Sequence, residues 1–149
     1  MKNILSQSDK TEVLNRIENL KPASQGLWGK MSIEQMLAHC SASFEMATGD
    51  KNFPRPFIGR IMGSFMKDFY SNDKPFNKNT PTIKSLLFSH QMDFEKEKRK
   101  LTEIIEKFHT GGEDKCTTHP HPFFGKLSPT AWGKGMYKHL DHHLRQFGV

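Results

Sequence analysis

Cysteine is scarce in this chain. Among 149 residues there are only Cys40 and Cys116, far apart and in no C-x-x-C pairing, which argues against a disulfide framework or a thiolate zinc site and leaves two reduced thiols. Long apolar runs are also missing: none approaches the roughly 20 residues that span a bilayer. The opening MKNILSQSDK has neither the apolar core nor the cleavage site of a secretory leader. The expectation is a cytoplasmic protein with no membrane partner. There is no Gly-rich phosphate loop, nucleophile elbow or H-E-x-x-H pattern, and no internal repeat or low-complexity tract.

Hydrophobic residues make up 35%, a low share, but 12 Phe and 8 Met supply large apolar volumes, enough for a packed core. The length suits a single domain over residues 1–149. A net charge of +6 attracts anions. The basic residues are nevertheless dispersed among acidic ones without a basic and aromatic recognition motif, so a solvated surface is expected rather than a nucleic-acid partner.

Apolar spacing predicts helices. SDKTEVLNRIENL carries Val13, Ile17 and Leu20 at helical intervals, with Ser8 as the expected cap and Pro22 as the stop. A second helix should run from about Ser32 to Ala47, because Ser32 and Gln35 have the form of a capping box and Gly49 follows. Prolines 54 and 56 and glycines 59 and 63 break up the next segment, which reads as a loop and a short helix around Ile58 to Phe69. SNDKPFNKNTPTIK is a long surface connection. Phe94, Leu101, Ile105 and Phe108 then form an apolar stripe opposite a charged face, ended at Gly111. Ser128 and Pro129 start a last helix that runs almost to the end. Four amphipathic helices without alternating strands indicate an all-α antiparallel four-helix bundle, with the long middle connection as a crossover.

Three of the eight histidines fall within HLDHHLRQF. At about 100° per residue, Trp132, Met136, Leu140 and Phe147 share an arc of about 80°, and His139 and His143 lie in or beside it. Their i, i+4 spacing stacks the two imidazoles on one face. His142 falls about 80° from the nearer of them, at the edge of the apolar face. Lys138, Asp141 and Arg145 fall on the opposite side. Buried imidazole nitrogens need partners, and a divalent cation would supply one, as would hydrogen bonds within a histidine pair. A third ligand has to come from another helix. His39, on the flank of the Ile33, Leu37, Cys40 and Phe44 stripe, is the first candidate and His90 competes. His109, His119 and His121 lie in or beside a loop, where the HPHP run is a further metal candidate. Three histidines with no fourth protein ligand would leave a position open, the pattern of catalytic rather than structural sites. Gln146, one turn from His143, is placed to orient it by a hydrogen bond. Glu34 and Glu45 read as surface carboxylates, and Trp28 and Trp132 as core.

WGKMSIEQMLAH, ending at His39, together with HLDHHLRQ, beginning at His139, resembles the DinB-like superfamily, the damage-inducible and YfiT-like four-helix bundles. That resemblance implies a divalent metal, zinc or nickel, held by one histidine of the second helix and an H-x-x-x-H pair of the last. Position by position these are His39, His139 and His143. Where many members have H-H-R-G-Q this chain has H-H-L-R-Q, the mark of a divergent branch. Characterised members include metal-dependent transferases acting on low-molecular-weight thiols such as bacillithiol and mycothiol, and a thiol-dependent maleylpyruvate isomerase. The resemblance therefore implies a small-molecule substrate and a metal-dependent thiol S-transferase or hydrolase, with a low-molecular-weight thiol activated at the metal. The competing class is a non-catalytic bundle, metal-stabilised or binding a small ligand or another protein. A homodimer is compatible with either.

Overall fold

A computed structural model of the chain describes residues 2–55 and 57–149, with the side chains at 58, 60, 62 and 64–66 outside the described set. Pro56, read above as part of a loop, lies outside it too. The architecture is all-α. Among the described residues there are five helices and no strand: α1 (Gln7–Glu18), α2 (Ile33–Thr48), α3 (Phe57–Ser71), α4 (Phe94–Gly111) and α5 (Pro129–Gln146). No helix of the described residues is long and apolar enough to cross a membrane.

α2 lies at the centre. Its start is the expected capping box: the Gln35 N–H donates to Ser32 Oγ at 3.3 Å and the Ser32 N–H to Gln35 Oε1 at 3.0 Å. Gly49, at φ +82°, closes the other end. Between them the helix is buried on nearly all sides, because its principal contacts are with α4 and it also packs on α5. The flank that carries His39 is therefore interior. Phe94, Leu101, Ile105 and Phe108 of α4 are buried as the stripe required, with the Asp93 side chain accepting the Lys96 N–H at 2.7 Å as the cap. α5 begins as expected, with Ser128 Oγ accepting the Ala131 N–H and Pro129 in the first turn.

Three expectations need correction. α1 starts earlier than Ser8: Ser6 is the capping residue, extended and without a side-chain cap bond. The Asn3 N–H donates to Asp9 Oδ2 at 2.8 Å, tying the incoming chain to the first turn. The short helix expected around Ile58 to Phe69 is present as α3, slightly longer at each end, with Gly59 and Gly63 inside it. A Cβ on Gly63 would stand 1.8 Å from the Phe123 carbonyl oxygen, so that glycine serves close approach to a neighbouring backbone rather than a turn. Lys138 is buried, not solvated. Its amine donates to the Phe69 carbonyl and to Asn72 Oδ1, and it lies 4.1 and 4.5 Å from the ring centroids of Phe69 and Phe76, so it fastens α5 to the end of α3. Glu45 is ion-paired with Lys51 and Lys100 at 2.6 and 3.0 Å, which links α2 to α4.

Residues 72–93 connect α3 to α4 through a single 3₁₀ turn at Lys84–Leu86. Just past the stretch expected to run over the surface, Leu86 is buried, and its 3₁₀ turn packs on α2 and reaches the histidines.

Candidate metal centre

α2 presents His39, and α5 presents His139 and His143 one turn apart. The three rings meet edge to face, with centroids 4.8 to 4.9 Å apart. One ring nitrogen from each lies within 4.8 Å of the others, and the group contains no cysteine or carboxylate. His39 and His143 are buried at 3% and 7% exposure, and His139 is intermediate.

Outer hydrogen bonds decide which nitrogens face inward. His39 Nδ1 lies 2.9 Å from the Leu86 carbonyl. A carbonyl only accepts, so Nδ1 carries the proton and the Nε2 lone pair faces His139. Gln146 sets His143 in the same way. Its Nε2 donates to the Trp28 carbonyl at 2.7 Å, which fixes the amide's orientation and leaves Oε1 to accept from His143 Nδ1 at 2.8 Å. His143 Nε2 is then a lone pair too. Gly29 makes this bond geometrically feasible: it sits at φ +82°, and a Cβ there would stand 2.5 Å from Gln146 Nε2.

The third ring completes the asymmetry. His139 Nε2 lies 2.9 Å from His39 Nε2, and two neutral imidazoles share at most one proton there. Its Nδ1 is buried without a partner. Burial holds all three rings well toward the neutral form. His143 is pushed down to about 3 by burial and then by the field of His39. His39 is lowered by burial against the opposing pull of the Leu86 carbonyl. His139 is lowered by burial, then by His143 and His39. Neutral imidazoles with convergent lone pairs and few donors among them form a donor set suited to a divalent cation.

A cavity of about 470 Å³ opens beside this group, within the range of small-ligand sites. His143, His142 and Gln146 border it, together with Trp28, Met31, Leu86 and Phe88, whereas His39 and His139 do not. Trp28 was expected in the core, and Trp132 is there at 1% exposure. Trp28 instead forms part of the cavity wall, its ring 5.8 Å from that of His142. No local pattern marks this role, since it depends on the 28–31 loop meeting α5. His142, placed by periodicity at the edge of the apolar face, stands between Trp28 and Phe76.

The other histidines stay apart. His90 is exposed beside Phe88, so it does not compete with His39. His109 Nδ1 donates to the Ile4 carbonyl. The HPHP run builds a turn rather than a metal site: His121 Nδ1 accepts the N–H groups of Phe123 and Phe124 at 3.1 and 3.2 Å, and its ring packs on Tyr70, Phe124 and Trp132. Cys40 is fully buried against Met36, and burial pushes its thiol up.

Fold and site together define an all-helical protein with a three-histidine cluster beside a cavity of about 470 Å³. The chain belongs to the DUF1569 family, described as protein of unknown function, whose pattern matches residues 1–148. No curated protein and no solved structure matches it.

Proposed function

We propose that His39, His139 and His143 hold a divalent metal, zinc or nickel, and that the site works as a metal-dependent transferase or hydrolase on a small molecule in the adjoining cavity, with a low-molecular-weight thiol as co-substrate. In the same reading, residues 1–149 form one DinB-like antiparallel four-helix bundle of α1, α2, α4 and α5. The connection after α3 is then the crossover.

The observation that carries the proposal is the fixing of His39 and His143. The Leu86 carbonyl oxygen and Gln146 Oε1, turned inward by its amide's bond to Trp28, accept the Nδ1 protons of both rings. Outer partners of this kind orient histidine ligands in metal proteins and raise their basicity. The chemistry a cation would add is Lewis-acid activation of a nucleophile or electrophile. The chain's own residues supply the rest. His143 places one corner of the cluster on the cavity wall, where Trp28, Leu86 and Phe88 offer apolar surface to a ligand. Access from the cavity favours reaction over a purely structural metal, which is normally closed by protein ligands.

The test compares His143→Ala with the parent for turnover of low-molecular-weight thiols with electrophilic partners, and for thermal stability. Loss of turnover in a variant that stays folded supports the reading. A metal-loaded parent without turnover across that panel, losing only melting temperature on His143→Ala, assigns the cluster a structural role.

A further inference from the structure

The cavity's charge defines its ligand more closely than the cluster does. No aspartate or glutamate lines it, while Lys30 does. Lys78 extends from the crossing segment over the Trp28 ring, its amine 4.5 Å from the centroid. Neither lysine has a carboxylate partner among the described residues. The nearby Glu34 accepts from Ser32 Oγ at 2.7 Å and shares a neighbouring hollow with Lys30, to which it makes no ion pair. One lysine of the lining, Lys30, and one resting on the lining residue Trp28, Lys78, thus lie beside walls of Met31, Leu87 and Phe88 without an ion pair. Asn79 stands on the same rim at φ +59°, the single left-handed non-glycine residue among those described.

We infer that this cavity takes a small organic anion with an apolar body, its acidic group held by Lys30 and Lys78 and its far end directed toward His143. The inference rests on the metal-centre reading only for what happens at that far end. Binding itself needs the lysines and the apolar wall. A neutral analogue loses the ion pairs, and a cationic one meets two like charges and no counter-charge.

The experiment uses three isosteric probes, 3-phenylpropionate, its amide and 3-phenylpropylamine. Each is titrated by calorimetry at low ionic strength into chelator-treated full-length protein and into Lys30→Gln, Lys78→Gln and the double variant. Both lysines are exposed, so the variants should keep the parent's far-UV dichroism, which is recorded alongside. The carboxylate is expected to bind several-fold more tightly than the amide, with the amine weakest. Each single substitution should weaken the carboxylate about two- to fivefold, as for partly solvated ion pairs, while the amide is unchanged and the double variant loses the preference. Equal binding of acid and amide, a preference that survives the double substitution, or no saturable binding by any probe overturns the inference. A preference seen only after metal is restored also overturns it, because the anion would then be ligating the metal. Failure of the metal reading leaves the result on chelated protein untouched, so the two are separable.

Discussion

Gln146 links the backbone of one loop to the protonation pattern of a ring on another element. Its amide joins the Trp28 carbonyl to His143 Nδ1. Gln146→Leu keeps the volume but releases His143 to choose either tautomer, and metal affinity should fall about 10- to 100-fold, measured by competition with a chromogenic chelator. Unchanged affinity would detach Gln146 from the site. Gly29→Ala should act in the same direction, since its Cβ would displace the Gln146 amide. His121 gives a pH prediction away from the cluster. Burial, then the charge of Arg55, pushes it down to about 3 from an ordinary 6.5. The unfolded chain therefore binds a proton there that the folded chain refuses. The associated stability is fully present above about pH 6.5 and is lost as pH falls toward 3. His121→Asn, which retains an acceptor for the two N–H groups, should show a shallower decline in urea-unfolding free energy across that window. An unchanged slope would place the titration elsewhere.

Among the helices, those whose signals are local were legible in sequence. Ser32 with Gln35, and Ser128 with Pro129, mark their helix starts because a cap is made within three residues. Ser32→Ala should cost about 1 kcal/mol, read as a lower urea midpoint with unchanged slope. The helix of α3 was legible as well, but the reason for its glycines was not. Glycines 59 and 63 have the look of breakers, yet they answer to a turn at residues 121–125, some sixty positions away, that no local window contains. Gly63→Ala should destabilise by about 1–3 kcal/mol or more as α3 is pushed off Phe123. A neutral result would mean that the contact relaxes freely. Lys138 was misplaced for a related reason: periodicity points it away from the core, but its stem can cross to the end of α3 and satisfy a carbonyl there.

Across the whole molecule, facing arguments brought the cluster within reach and tertiary structure supplied its surroundings. The i, i+4 pair on α5 and the flank position of His39 follow from a 3.6-residue period alone. The cavity does not, because Trp28, Leu86 and the lysines arrive on two irregular segments whose paths have no period. The Leu86 carbonyl that orients His39 lies two residues past the stretch read as surface, in SLLF, where no periodic signal stands out. The cluster thus depends on every layer: two helices for the three histidines, one loop for Gln146 and one crossing segment for His39. The most direct measurement is the metal content of untagged protein purified without chelator, by elemental mass spectrometry, beside His39→Ala and His143→Ala. The account predicts close to one zinc or nickel per chain, lost in both variants. No bound metal, even after zinc, nickel and iron are added back, or metal retained in both variants, would contradict it and leave the three histidines as hydrogen-bonded core groups.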